Sequence, residues 1–169
     1  FRFLLLTGLR VSEAKNMTWD MVNMRAGSLH LPSTKSGESL DVPLSEPALA
    51  ILRERHTQGN PHPFPLTETK HLTRKVVAAC GVDFSPHDLR RSFISYAALC
   101  NVASAATKAL VNHAQPEGSV TDGYMVFSLD TLREPAERIG AFILHQVETR
   151  KADVVELKKA DFADCIVAR

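Results

Sequence analysis

The sequence predicts a mainly α domain that carries a small antiparallel three-stranded β-sheet toward its N-terminal side. Three observations predict it. Apolar residues recur at helical spacing along much of the chain, most clearly at Leu132, Ala136, Ile139, Phe142, Ile143 and Val147. Two short alternating runs, Ser28-Leu29-His30-Leu31 and Leu40-Asp41-Val42, flank the Ser/Gly-rich stretch STKSGES and read as a hairpin. Ala26-Gly27 marks an earlier turn, so a third strand fits before it.

The elements follow in order. FRFLLL, residues 1–6, reads as the end of a buried helix that Thr7-Gly8 breaks. Helical spacing returns from Arg10 to about Trp19, with Val11, Ala14 and Met17 on one side. Ser12 and Glu13 suit its start, where free amides and the positive end of the helix dipole favour polar and acidic groups. Lys35 falls at the hairpin tip. Ser45-Glu46-Pro47 begins the next helix, because proline in a first turn gives up a donor that has no helical partner there. TQGNPHPFPL, residues 57–66, holds three prolines and a glycine and reads as a surface loop. A helix from about Thr67 to Cys80 stops at Gly81. Phe84-Ser85-Pro86 leads into a helix from His87 to about Cys100, and Ala103 to Val111 forms a shorter one. AQPEG, residues 114–118, is a loop, and Ser119 to Phe127 reads as one or two helical turns that carry Tyr124. Asp130 caps a long amphipathic helix. The reading divides the chain into a domain over residues 1–149 and a tail over 150–169, either a helix seeking a partner or partly disordered. Trp19, Phe93, Phe127 and Phe142 are expected in the core.

Bulk properties narrow the classes. A length of 169 residues with 44% apolar composition suits one domain with a sizeable core. No run of ~18 apolar residues suggests a membrane span, and FRFLLLTGLR lacks the small-residue cleavage site of a signal peptide. The chain opens without Met and in mid-pattern, and is read as a fragment of a longer protein. Cys80, Cys100 and Cys165 form no CxxC pair or disulfide framework, which points to a reducing, cytoplasmic setting. His56, His62 and His71 lack metal-ligand spacing, and neither metal nor other cofactor is expected. Net charge is only +1, with 13 basic and 11 acidic residues over residues 1–129 and 7 and 8 over residues 130–169. A nucleic-acid binder is usually more basic, so a DNA reading must rest on placed residues.

HDLRRSF, residues 87–93, supplies two of them. His87 and Arg90 are three apart, hence neighbours on one helix face, and an imidazole beside a guanidinium can grip a phosphate. Arg10, Lys35, His113 and Tyr124 stand at other element starts, tips and turns, as residues of an assembled site commonly do. Two arginines can hold the non-bridging oxygens of a phosphodiester. A lysine can protonate a leaving oxygen, two histidines can move protons or donate to phosphate, and a tyrosine can attack. Taken singly, each residue also has an ordinary reading. Arg10 pairs with Glu13, Lys35 is solvated, His87 caps a helix, and Arg90 is salt-bridged to Asp88 or Asp83. His113 would sit at a negative helix end, and Tyr124 would be a half-buried core residue. Arg91 is read as packing or touching a DNA backbone.

In order and spacing, these segments resemble the tyrosine recombinase (phage integrase) family over about residues 3–145. TGLRVSEA, residues 7–14, resembles its first signature, which implies Arg10 as a catalytic arginine and Glu13 as its support. TKSGESLDVPLS, residues 34–45, resembles the hairpin with the catalytic lysine, matching Lys35. HDLRRSF resembles the HxxR box, matching His87 and Arg90, and NHAQPEGSVTDGY, residues 112–124, resembles the segment with a second histidine and the nucleophile, matching His113 and Tyr124. The wording VTDGY is similar to prophage and genomic-island integrases. One departure stands out: the residue before the second histidine, often Gly in the family, is Asn112, a mild change at a turn.

The resemblance implies an integrase-like (DNA breaking-rejoining enzyme) catalytic domain that follows an N-terminal core-binding domain absent from this chain. It implies a site-specific recombinase that cleaves and rejoins DNA through a 3′-phosphotyrosyl intermediate, without metal or ATP, to integrate or excise a prophage or genomic island. The partners it implies are double-stranded DNA, further protomers in a tetramer on DNA, and accessory DNA-bending proteins; the stretch after Asp130 either reaches a neighbouring protomer in a C-terminal exchange or folds its apolar face back in cis. No membrane partner is implied. Two alternatives stay open: a type IB topoisomerase-like nicking enzyme, and an inactive DNA-binding or assembly module.

Overall fold

A computed structural model of the chain describes residues 1–34, 37, 39–65, 69–112 and 127–149, with the helical backbone continuing to 167. In chain order the elements are α1 (Arg2–Thr7), α2 (Val11–Lys15), a 3₁₀ turn (Trp19–Met21), β1 (Val22–Asn23), β2 (Ser28–Leu31), β3 (Leu40–Pro43), α3 (Glu46–Thr57), α4 (Thr69–Cys80), α5 (Pro86–Leu99), α6 (Ser104–Leu110) and α7 (Leu129–Val167). The expected mainly α fold with an antiparallel three-stranded sheet is present, with strand order β1-β2-β3. Val22 pairs with Leu29, and Leu29 in turn with Val42, so the apolar positions of all three strands share a face. Leu29, Leu31 and Val42 are buried on that face, while His30 and Asp41 pair across the outer one at 2.8 Å.

The helical spacing from Arg10 to Trp19 does not yield one helix. α2 stops after five residues: Asn16 leaves helical geometry, Thr18 is fully extended, and a separate 3₁₀ turn begins at Trp19. Met17 is completely buried in the connection, so its apolar spacing reports burial and not a longer helix. α3 starts as expected at Ser45, with Pro47 in its first turn. α4 ends at Gly81, whose φ of 69° closes the helix in the left-handed region.

Two apolar clusters form the core. One joins α1, α2, the sheet and α3 through Phe3, Leu9, Met17, Leu29, Val42 and Leu52. The other joins α5, α6 and α7 through Phe93, Ala97, Leu110, Leu132, Ile139 and Ile143. α1 lies between them and packs on α5, and α7 touches α1, α3, α5, α6 and β3. The expected apolar face of α7 holds through Ile143, but Val147 is exposed. Of the aromatics expected inside, Phe93 is buried, whereas Trp19, Phe127 and Phe142 are half-buried. The indole of Trp19 explains its position: its N–H donates to Asn60 O at 2.7 Å, at the protein surface.

Candidate active site

The site begins where three chain segments meet at their ends. α1 ends at Gly8, with φ 66° and its N–H on Leu4 O at 2.9 Å. Two residues later Arg10 is the N-cap of α2, in extended conformation. Glu13, at the third position of α2, reaches back with both carboxylate oxygens. Oε2 accepts the Arg10 N–H at 2.7 Å, and Oε1 accepts Arg10 Nη1 at 2.8 Å. The first bond is half of a capping box, and the second orients the guanidinium. Glu13 is buried and Arg10 partly exposed, so the carboxylate is the fixed member of the pair.

α5 brings the second arginine. Ser85 caps it, Pro86 occupies its first position, and Asp88 accepts from the Ser85 N–H at 2.9 Å and from its hydroxyl at 2.7 Å. Ser85, not His87, is therefore the cap. Asp88 pairs with the exposed Arg91 at 3.2 Å and not with Arg90. Arg90 turns inward to only 4% exposure. Its Nη1 donates to Gly8 O at 2.8 Å, and its Nη2 donates to Val111 O. His87, one turn earlier on the same helix, is exposed.

The third segment closes the pair. α6 ends at Leu110, and Asn112 has φ 45°. The departure from glycine at this position is thus accommodated, since asparagine tolerates the left-handed region better than most residues. Val111 O receives Arg90, and the next carbonyl, Asn112 O, receives Arg10 Nη2 at 3.3 Å. Two consecutive carbonyls therefore gather two guanidiniums. The Asn112 side-chain amide also donates to Thr34 Oγ1 at 2.7 Å, at the root of the β2–β3 hairpin.

The electrostatics follow. Burial, then the nearby Arg10 charge, push the Arg90 guanidinium down to about 10, and Glu13 partly opposes this. Arg90 remains cationic at neutral pH. Two cations lie close together with one carboxylate, which Arg10 already engages. Among the described residues, each arginine uses two of its five donors on the protein, which leaves the others for an anion. An oxyanion near both arginines would relieve their repulsion and satisfy their free donors.

Of the residues singled out in the sequence, the structure brings together Arg10, Glu13 and Arg90, while His87 is exposed one turn before Arg90 on α5. Lys35, His113 and Tyr124 lie outside the described residues, although Thr34 and Asn112, their immediate neighbours at 35 and 113, are both at the site. In the sequence Asn112 shows only as a change at a turn. Its link to Thr34 spans 78 positions and leaves no local trace in the sequence. Among the described residues no cluster of His, Cys, Asp or Glu could hold a metal. Among them, too, no helix is long and apolar enough to cross a membrane.

Comparison with known proteins identifies the family and the fold. Residues 1–117 match the model of the "Phage integrase family". The shufflon-specific DNA recombinase of Escherichia coli is 34% identical over 98 residues, covering 56% of this chain and 26% of that protein. Tyrosine recombinase XerA of Pyrococcus furiosus is 28% identical over 146 residues, covering 78% of this chain and 50% of that protein. The chain thus spans half or less of these relatives. Among solved structures, the integrase from mycobacterium phage Brujita superposes with a TM-score of 0.61 at 21% identity, over 82% of this chain and 50% of that one. XerA recombinase superposes with a TM-score of 0.54 at 19% identity, over 88% and 54%. These two likenesses concern the fold.

Proposed function

The chain belongs to the phage integrase family, and from that premise we propose that it is the DNA-breaking domain of a tyrosine-type site-specific recombinase. One observation carries the reading. Arg10 and buried Arg90 are held on the consecutive carbonyls of Asn112 and Val111, immediately before His113 in the chain. Such a pair suits the scissile phosphate of double-stranded DNA, which gains negative charge as it becomes pentacovalent.

In the proposed reaction the Tyr124 oxygen attacks phosphorus. A 3′-phosphotyrosyl bond forms and the bond from phosphorus to the 5′ oxygen breaks. The phenolic proton leaves toward a histidine, His87 or His113, and the Lys35 ammonium gives its proton to the departing 5′ oxygen. Arg10 and Arg90 hold the non-bridging oxygens, with Glu13 keeping Arg10 aimed. The phosphotyrosyl ester conserves the bond, so a 5′ hydroxyl from another strand reverses the step without ATP or metal. The substrate would be the junction of a prophage or genomic island, with protomers assembled as a tetramer on DNA and accessory bending proteins setting its path.

The test is a nicked duplex that traps the covalent adduct, using the full-length protein. Arg10→Lys and Arg90→Lys retain charge but lose the planar fork. Each is expected to slow adduct formation by ~10²–10³-fold, with a much smaller change in DNA binding by gel shift. Equal losses in both measurements would show that the arginines only position DNA and would refute the reading.

A further inference from the structure

We infer that Asn112 is a positioning residue that ties the hairpin bearing Lys35 to the arginine pair, and so places the proton donor for the leaving 5′ oxygen. The inference rests on the reading of Lys35 as that donor. Asn112 is engaged on three sides. Its N–H donates to Ala109 O at 3.2 Å, its carbonyl accepts Arg10 at 3.3 Å, and its side-chain amide donates to Thr34 Oγ1 at 2.7 Å. Thr34 is itself buried, and its carbonyl accepts the Gly37 N–H at 2.9 Å across the hairpin turn. Thr34 is therefore an anchored point one residue before Lys35. Asn112 is one residue before His113. A single amide thus spans the two segments that carry these candidate groups, and its own backbone holds Arg10.

The chemistry explains why the tie matters. A long, flexible lysine side chain delivers a proton efficiently only from a fixed base, and a displacement of ~1 Å can cost ~10²-fold in rate. A glycine at position 112 would keep the left-handed turn, because it adopts φ 45° without strain, but would have no side chain to reach Thr34. Asn112→Gly therefore separates the tie from the turn.

The experiment follows cleavage of two nicked duplexes by the full-length protein, one ordinary and one with sulfur in place of the 5′ bridging oxygen. The site is that recovered from the protein's own recombination junctions. With sulfur, the bond from phosphorus to sulfur breaks and a thiolate leaves. A thiol pKa near ~8.5 makes a proton donor unnecessary. Asn112→Gly is expected to cleave the ordinary duplex ~10- to 10²-fold more slowly than wild type and the sulfur duplex at nearly the wild-type rate. Thr34→Val should show the same pattern, and the double variant should lose no more than either single one, as for two residues that share one interaction. An equal deficit for Asn112→Gly on both duplexes, with Lys35→Ala rescued by sulfur, would overturn the inference while leaving Lys35 as the donor. Lys35→Ala left unrescued by sulfur would overturn the donor reading and the inference with it. Thermal melting of each variant checks that it is folded.

Discussion

Replacing Gly8 by alanine probes the point where the fold and the arginine pair share one residue. Gly8 has φ 66°, and its carbonyl holds Arg90 Nη1 at 2.8 Å. A Cβ there would lie 2.6 Å from Phe93 Cδ1 and 2.8 Å from Val111 Cγ1. Phe93 is 1% exposed and Val111 2%, so neither can easily move away. Two costs add. A left-handed alanine costs ~1–2 kcal/mol, and overpacking a dense core costs ~1–3 kcal/mol. The total, ~2–5 kcal/mol, would lower Tm by ~4–20 °C for a domain of this size. Gly81→Ala is the internal control: it has φ 69° but nothing within 4 Å of the added carbon, so it carries the backbone cost alone. Urea unfolding of both variants separates the terms, and Gly8→Ala should exceed Gly81→Ala by ~1–3 kcal/mol. Equal destabilisation would refute the claim that close approach to Phe93 and Val111 is what requires glycine in TGLR.

Two further predictions concern other junctions. In Gly140→Ala the new Cβ would fall 2.5 Å from Ser45 Oγ and 2.7 Å from Ser45 Cβ, where α7 crosses the start of α3. It should cost ~1–3 kcal/mol in urea unfolding, and adding Ser45→Gly, a change worth a few tenths at a cap, should recover most of that. An unrelieved double variant would show that the contact is not the cause. The Asp88 carboxyl is held below its ordinary range by the Ser85 hydroxyl, then by the Ser85 N–H, with a smaller contribution from Arg91. A depressed carboxylate stabilises above its unfolded pKa of ~3.9 and loses that contribution as pH falls through the folded value. The Tm advantage of wild type over Asp88→Asn should hold at neutral pH and disappear in acid. An advantage independent of pH would contradict this.

What the sequence revealed was local. Pro86 after Ser85, Pro47 after Ser45 and Gly81 after Cys80 each mark a helix end through the chemistry of one or two residues, and the structure has all three ends there. The alternation at residues 28–31 and 40–42 marks the hairpin for the same reason. What was hidden depended on distance. In sequence the carboxylates nearest Arg90 are Asp88 and Asp83. Arg90 instead buries itself on carbonyls 82 and 21 positions away, whose availability depends on how α1 and α6 end. Helical spacing overextended α2 because Met17 is buried without being helical. Val147 fits the apolar period of α7 yet is exposed, because periodicity shows which face a residue shares but not how far its neighbours extend.

The most direct test of the central claim is to identify the residue that carries DNA. The full-length protein is trapped on the nicked duplex, the DNA is digested, and the modified peptide is read by mass spectrometry. The prediction is a nucleotide joined through its 3′ phosphate to Tyr124, and no adduct from Tyr124→Phe. A link to another residue, a 5′ link, or an adduct that persists in Tyr124→Phe would contradict it.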